Sequence, residues 1–231
     1  MTFLKQVVVV AGGSGSRMKS DQPKQFIAVA GRPILMHTLE CFLNFDPATR
    51  LILVLPKDHH STWKDLCAKH GFTHPVELVS GGATRYHSVQ AGMALAQSEG
   101  VIAVHDGVRP MVSTATLKRC FETAWKEGNA IPALAVVETL RKLENDGSST
   151  WVNRDAFRSI QTPQCFRYDI IQTAYQQEYN EEFTDDASVV ERMGVSINLV
   201  EGNRENLKIT TPEDLHWAEY WLQKKSGDGK D

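Results

Sequence analysis

The sequence lacks any apolar run that approaches the ~20 residues of a membrane-spanning helix. Its first apolar stretch, residues 7–10, leads directly into a glycine-rich loop, which favours a first strand over a targeting segment. Cysteine is also scarce, because the chain has only four, widely spaced and without a CxxC or metal-ligand pattern. We therefore expect reduced thiols in a cytoplasmic protein that has no membrane segment.

No strong excess of one charge is present, since 25 basic residues face 28 acidic residues and the net charge is -3. A general nucleic-acid binder is more often basic, so nucleic acid is not an expected partner. The charge is unevenly placed, because residues 1–32 contain five basic side chains and one acidic side chain. This positive region surrounds the first glycine-rich loop, where an anion could bind.

The pattern of apolar residues predicts the fold. Near-continuous apolar stretches predict strands at 7–10, 51–55, 76–79, 101–104 and 195–200. Amphipathic segments predict helices at 33–45, 61–70, 86–97, 114–127 and from 211 onwards. The alternation favours an α/β fold, with a Rossmann-like, mostly parallel twisted sheet and helices on both of its faces. A chain of 231 residues fits a single domain, 1–231.

One segment interrupts this alternation. Strand-like residues 136–143 and 150–153 flank the turn signal Asp146-Gly147, which predicts a β-hairpin. We interpret residues 136–160 as a protruding β-arm inserted in the domain. Because an isolated hairpin is only marginally stable in water, the arm needs a packing partner. A second copy of the chain would make a homodimer, and the alternative is packing of the arm on its own domain.

The loop after the first strand carries the clearest chemistry. Glycine-rich turns at the end of a strand let backbone N–H groups approach phosphate. A GxxxxGK[ST] loop is absent, and GxGxxG fails because Met18 stands where the third glycine belongs. The pattern is instead Gly13-x-Gly15-x-Arg17, followed by Lys24. Two cations beside such a turn favour a triphosphate site, since phosphoryl transfer needs fixed positive charge.

Two further segments follow predicted strands. Gly81 and Gly82 would let a base lie against bare backbone, and Ser88 could bond a pyrimidine edge, although an ordinary strand-to-helix turn remains possible. Asp106 ends the strand at 101–104, where open α/β sheets bind ligands. An ionised carboxylate there could hold Mg²⁺ or substrate hydroxyls, or could simply cap a turn. We expect His105 to support the strand end.

These segments together resemble a known family. The loop at 11–18 with Pro23-Lys24-Gln25-Phe26 is similar to the signature of nucleotidyltransferases that join a sugar or polyol phosphate to a nucleoside triphosphate. Over nearly the whole chain, the order and spacing of motifs resemble the 2-C-methyl-D-erythritol 4-phosphate cytidylyltransferase family of the non-mevalonate isoprenoid pathway. The motifs are those at 81–89, 105–110, 161–164, 184–188 and 206–210, together with Arg154.

The resemblance implies a reaction and a site. CTP and 2-C-methyl-D-erythritol 4-phosphate would give the cytidine diphospho-polyol and pyrophosphate, with Mg²⁺ held mainly by the triphosphate and Asp106 as a further possible ligand. The catalytic cations would be Arg17, Lys24 and Lys208, the last on a short strand. The nucleotide would lie against Ala11, Gly12, Gly13, Ser14, Gly15, Gly81, Gly82, Arg85 and Ser88. The polyol phosphate would be held by Asp106, Arg109, Thr139, Arg154 and Thr162, with the arm reaching from the partner subunit.

Departures from the family pattern keep alternatives open. Gly12 stands where many members have alanine, Ala83 where several have aspartate, and Gly107-Val108 where Ala-Ala is common. An Ala-Gly-Gly start also occurs in the related ribitol-5-phosphate cytidylyltransferases, which are the nearest alternative. A non-catalytic nucleotide-binding module of the same fold is a second alternative. A nucleotide-sugar glycosyltransferase is disfavoured, because no Asp-x-Asp stands at 101–110.

Overall fold

The computed structural model describes residues 3–13, 18 and 22–227. The helices are α1 (Ile34–Phe45), α2 (His60–His70), α3 (Arg85–Met93), α4 (Thr114–Glu127), α5 (Tyr168–Ala174), α6 (Asp186–Glu191) and α7 (Pro212–Gly227). The strands are β1 (Lys5–Val10), β2 (Ala28–Val29), β3 (Arg32–Pro33), β4 (Arg50–Leu55), β5 (Glu77–Ser80), β6 (Val101–Asp106), β7 (Asn129–Ala135), β8 (Leu140–Leu143), β9 (Ser149–Val152), β10 (Arg158–Ile160), β11 (Gln164–Arg167) and β12 (Leu199–Glu201).

A mostly parallel central sheet confirms the predicted fold class. Strand β1 pairs in parallel with β4 on one side and with β6 on the other, and β5 pairs in parallel with β4. Beyond β6 the sheet becomes mixed, because β11 runs antiparallel to both β6 and β7. Strand β7 also pairs in parallel with β12 and antiparallel with β10.

Helices cover both faces of this sheet, as predicted. Alternate strand residues point to opposite faces, so Val7 and Val9 pack in one apolar cluster and Val8 in another. The first cluster includes residues of α1, α2 and α4. The second includes residues of α3, α5 and α6. Burial on both faces explains why the strands are near-continuous apolar runs rather than alternating ones.

Three predicted elements differ from the structure. The strand expected at 195–200 is only β12, because the Asn129 side chain bonds the main chain of Ser196 and Asn198 in place of a strand ladder. The helix expected at 86–97 already ends at Met93. Lys208 lies in an irregular segment between β12 and α7 rather than on a strand. The carbonyl of Asn206, two residues earlier, accepts a hydrogen bond from the Arg109 side chain rather than from a neighbouring strand.

The predicted hairpin forms at its predicted turn. Strands β8 and β9 make a two-stranded antiparallel sheet of their own, and the loop between them closes through a bond from the Glu144 N–H to the Ser148 carbonyl. Leu143 and Trp151 are exposed on it, at 78% and 65%. The last strand of the expected arm, β10, belongs to the central sheet instead.

Among the described residues, no helix is long and apolar enough to cross a bilayer.

Candidate active site

A cavity of about 450 Å³ opens at the carboxyl ends of β1, β4, β5 and β6. This is the edge where open α/β sheets bind ligands. The residues that line it are Val10, Ala11, Gly12, Gly13, Lys24, Gln25, Val54, Pro56, Lys57, Gly81, Gly82, Ala83, Thr84, Arg85, Ser88, Asp106, Val108 and Lys208. The structure therefore brings together ten of the residues that the sequence predicted for the site.

Glycine backbone forms one wall of the cavity. A Cβ at Gly82 would lie 2.4 Å from the Cβ of His87, so a side chain does not fit there without movement. The Ser88 hydroxyl accepts a hydrogen bond from the Gly82 N–H at 3.2 Å and thus holds this turn itself. Gly12 is different, because the atoms nearest to an added Cβ are those of Pro56 at 3.9 Å. The alanine that the family resemblance implies at this position would therefore fit here.

The cavity is lined by four cationic side chains and, among the described residues, a single carboxylate. The cations are Lys24, Lys57, Arg85 and Lys208, and the carboxylate is Asp106. Lys24 Nζ donates to the carbonyl of Ile209 at 3.4 Å, close to Lys208 in sequence. Such an excess of positive charge suits a polyanionic ligand, whose approach it also accelerates.

Asp106 is the centre of this charge arrangement. Its Oδ2 accepts from Arg109 Nε at 2.9 Å and pairs with Lys208 Nζ at 3.1 Å. Burial alone would raise the pKa of Asp106, but Lys208, Arg109 and Arg85 hold that pKa well below its usual range. The group is therefore ionised at neutral pH and accepts hydrogen bonds only. No hydrogen bond from a described residue reaches its Oδ1.

Arg85 is held by a second buried carboxylate. Its two terminal nitrogens donate to Asp186 Oδ1 and Oδ2 at 2.9 and 2.6 Å, and Tyr175 Oη donates to Oδ1 at 2.6 Å. Burial alone would lower the pKa of Arg85, and the Asp186 carboxylate more than reverses this effect. The guanidinium is thus a fixed part of the cavity wall. Sequence reasoning identified Arg85 but assigned no role to Asp186 or Tyr175.

Arg109 and Thr162 lie just behind the described lining. Arg109 spans from Asp106 to the Asn206 carbonyl, to which its terminal nitrogen donates at 2.9 Å. Thr162 is buried, and its hydroxyl bonds the Asp106 N–H at 3.1 Å and His105 Nδ1 at 3.0 Å. The Thr162 hydroxyl is therefore occupied by internal contacts.

Comparisons with known proteins identify the family. A profile of 2-C-methyl-D-erythritol 4-phosphate cytidylyltransferases matches residues 5–224. The protein of that name from Bacteroides thetaiotaomicron is 52% identical over 211 residues, which are 91% of this chain and 96% of that protein. The chain belongs to this family.

Solved structures of the same family agree. The 4-diphosphocytidyl-2C-methyl-D-erythritol synthase of Anaerococcus prevotii matches with a TM-score of 0.80 at 29% identity, over 95% of this chain and 98% of that one. The 2-C-methyl-D-erythritol 4-phosphate cytidylyltransferase of Thermus thermophilus matches with a TM-score of 0.75 at 31% identity, over 95% and 99%. The resemblance inferred from sequence motifs, and the nucleotidyltransferase activity expected from it, are thereby confirmed.

Other residues expected in this cytidylyltransferase site lie elsewhere. Thr139 and Arg154 are exposed, on the approach to β8 and just after β9, and neither lines the cavity. The Arg154 side chain donates to the carbonyl of Val137 in the same arm. Ser14, Gly15 and Arg17 lie outside the described residues.

Several site residues were missed by the sequence analysis. Lys57 follows β4 and lines the cavity, as position alone could have suggested, because the loop after each parallel strand reaches this edge. Gln161 and Asn206 are buried amides that hold the segment carrying Lys208. Gln161 Nε2 donates to the Asn206 carbonyl at 3.2 Å, and Asn206 Nδ2 donates to the Thr162 carbonyl at 2.7 Å. Both residues stand in family motifs, at 161–164 and 206–210, but the sequence assigned them no role, because their hydrogen-bond partners are remote along the chain.

Proposed function

We propose that the 450 Å³ cavity carries out cytidylyl transfer from CTP to 2-C-methyl-D-erythritol 4-phosphate. An oxygen of the polyol phosphate forms a bond to the α-phosphorus, and the bond from that phosphorus to the β-phosphate oxygen breaks. Pyrophosphate leaves with the electron pair, and the product is 4-diphosphocytidyl-2-C-methyl-D-erythritol. The observation that supports this most is the junction of a glycine-lined pocket with a cluster of fixed cations around Asp106.

The attacking phosphate needs no general base. A phosphate monoester is already an anion at neutral pH, because its second pKa is about 6. The protein's work is then to align two anions that repel each other and to offset the charge on the reacting phosphorus. We assign this work to Lys24 and Lys208 and, from the sequence, to Arg17.

The two substrates would meet at Asp106. We propose that the cytidine lies against Ala11–Gly13 and Gly81–Ser88, with the backbone of this wall reading the pyrimidine. The polyol phosphate would lie beyond it, with its phosphate near Arg109 and a hydroxyl donating to the open Oδ1 of Asp106.

A divalent cation fits this site only with help from the substrate. Among the described residues, no group of three or more histidine, cysteine, aspartate or glutamate side chains could hold a metal. Asp106 is the single lining carboxylate described, and no described residue bonds its Oδ1. We therefore propose Mg²⁺ bound mainly through triphosphate oxygens, with Asp106 as one possible protein ligand. Such an ion would neutralise part of the triphosphate charge.

The arm carries the remaining proposal, a homodimer with shared sites. Its large apolar side chains are exposed, with Leu143, Trp151 and Val137 at 78%, 65% and 57%. Thr139 and Arg154 are exposed on the same arm, and neither lines the cavity of its own chain. We propose that the arm packs on a second copy, burying this apolar surface and bringing both residues to the partner's polyol phosphate.

The activity is tested by pyrophosphate release with CTP and Mg²⁺. We expect kcat/KM for methylerythritol phosphate to exceed that for ribitol 5-phosphate by about a hundredfold or more. Preference for ribitol phosphate would retain the chemistry but overturn the substrate. Absence of release with either polyol phosphate would favour the non-catalytic module.

The cation roles are tested by Lys24→Ala. We expect kcat/KM to fall by about a hundredfold or more, with an unchanged melting temperature, because a charge at the reacting phosphate is lost. Lys69→Ala, at an exposed lysine of α2, is the matched control and should change neither quantity. An undiminished rate in Lys24→Ala would contradict the assignment.

The shared site is tested by complementation. Lys24→Ala and Arg154→Ala homodimers should each have little activity. Their co-expressed mixture should recover about a quarter of the wild-type rate, because half of random dimers are mixed and each mixed dimer has one intact site. No recovery, with mixed dimers demonstrated, would mean that Arg154 acts on its own cavity or on none.

A further inference from the structure

Asp106, which lines the cavity, and three residues behind it form a closed ring of hydrogen bonds. His105 Nε2 contacts the Arg109 carbonyl at 3.1 Å, and Arg109 Nε donates to Asp106 Oδ2 at 2.9 Å. The Asp106 N–H donates to Thr162 Oγ1 at 3.1 Å, and that hydroxyl contacts His105 Nδ1 at 3.0 Å. Every residue of the ring is thus both a donor and an acceptor.

The fixed members of the ring determine the state of the imidazole. A carbonyl can only accept, so His105 Nε2 carries a proton and donates to Arg109. Thr162 Oγ1 already accepts from the Asp106 N–H, so its own proton is free to donate to Nδ1. Burial lowers the pKa of His105 to about 4, which keeps the imidazole neutral at physiological pH. All four bonds then run in one direction, and the three that pass through the Thr162 hydroxyl and the imidazole can polarise one another.

The ring connects directly to the two groups proposed to hold the polyol phosphate. It bonds the backbone of Asp106 and of Arg109 and also joins their side chains to each other. His105 itself is fully buried and packs edge-on against Phe42 at 5.0 Å between ring centroids. Neither His105 nor Thr162 is among the described residues that line the cavity.

We propose that Thr162 and His105 are positioning residues for the polyol phosphate, which fix the carboxylate of Asp106 and the guanidinium of Arg109 through this ring. The inference rests on the proposed function, because it takes Asp106 and Arg109 as the polyol-phosphate ligands. It replaces the direct substrate contact that the family resemblance implies for Thr162. The Thr162 hydroxyl has a single proton, which it donates to His105 Nδ1, so it has none to donate to the substrate.

The kinetic test compares Thr162→Val with Thr162→Ser. Valine keeps the shape but leaves the Asp106 N–H and His105 Nδ1 without partners, whereas serine retains the hydroxyl. We expect Thr162→Val to raise KM for the polyol phosphate about tenfold while KM for CTP stays within about twofold. Thr162→Ser should restore the wild-type value. Equal changes in both KM values, or failure of serine to rescue, would overturn the positioning role.

Thr49→Val is the matched control. Thr49 is also buried, at 6%, but no described residue bonds its hydroxyl, and it lies just before β4 at the opposite edge of the sheet. The same replacement of hydroxyl by methyl there should leave both KM values unchanged. A rise in KM for the polyol phosphate in Thr49→Val would show that general loosening of the core explains the effect, and would overturn the proposal.

A second measurement is independent of activity. Nitrogen chemical shifts of isotope-labelled histidine distinguish the two neutral tautomers and the charged form, and His105 is assigned by comparison with His105→Asn. At neutral pH we expect protonated Nε2 and a hydrogen-bonded Nδ1, with the Nδ1 signal shifting in Thr162→Val and unchanged in Thr162→Ser. Any other tautomer refutes the ring. If the wild-type protein releases no pyrophosphate, the proposed function fails, whereas the histidine spectrum still decides whether the ring exists.

Discussion

Replacing Asp186 by asparagine should destabilise the protein through the wall of the cavity. Asp186 is completely buried, whereas the Arg85 side chain is 30% exposed. Two opposite charges about 4 Å apart interact by about 4 kcal/mol at an effective dielectric constant of about 20. Since part of Arg85 is in contact with solvent, we discount this value and expect Asp186→Asn to lower the free energy of unfolding by about 2–4 kcal/mol. Asparagine keeps the shape but offers one acceptor oxygen instead of two, so the loss reports the charge together with one hydrogen bond from Arg85.

The assay is thermal and urea unfolding, together with KM for CTP. A domain of this size loses about 2–4 °C of melting temperature per kcal/mol, so we expect a decrease of about 4–16 °C. The control is Asp169→Asn, at an exposed ion pair with Arg167 whose N–O distance is 3.3 Å, which should change the melting temperature by less than about 2 °C. A change below about 1 kcal/mol in Asp186→Asn would refute the reasoning. Unchanged stability with a raised KM for CTP would instead favour Arg85 as a direct nucleotide ligand.

Two further sites give predictions of different kinds. Gly82→Ala should raise KM for CTP about tenfold, because the new Cβ would lie 2.4 Å from the Cβ of His87. Gly12→Ala should leave KM for CTP within about twofold, because the nearest atoms are 3.9 Å away. Both KM values are measured from initial rates against CTP concentration. Asp214→Ala should lower the free energy of unfolding by about 1–2 kcal/mol in urea titration, because its Oδ2 accepts from the N–H groups of Thr210 and Thr211 at 2.7 and 2.9 Å at the start of α7. Equal KM values in the first pair, or unaltered stability in the second, would contradict these readings.

The parts of the fold that sequence predicted are those with local signals. The loop at Gly12–Gly13 follows the buried, valine-rich strand β1, the loop at Gly81–Gly82 follows the half-buried strand β5, and the turn at Asp146-Gly147 has its own dipeptide signal. Parallel strands then bring the first two loops to the same edge of the sheet without further information. Asp106 was predicted on the same ground, since it is the last residue of β6.

The parts that sequence did not predict depend on partners that are remote along the chain. Strand β11 is short, and its place between β6 and β7 comes from pairing across the fold rather than from any periodicity of its own. Arg85 and Asp186 are 101 residues apart, and His105 and Thr162 are 57 residues apart. The sequence predicted Arg85 and Thr162 as site residues and His105 as a support of the strand end, but a single sequence does not show which remote residue each of them contacts. Their burial follows from mutual satisfaction of charge and hydrogen bonds.

A buried carboxylate in a site for two polyanions requires an explanation, and the geometry of Asp106 supplies one. Without it, Lys208 and Arg109 would be adjacent cations that repel each other. Both cations contact Oδ2, which holds them in place and keeps the group ionised. Among contacts from described residues, Oδ1 is left open as an acceptor. An ionised oxygen that can only accept favours a hydroxyl over another phosphate oxygen, because two anionic oxygens repel each other. In the proposed function, Asp106 would therefore bind the polyol as the surrounding cations bind the phosphates, and it would distinguish the two ends of the same substrate.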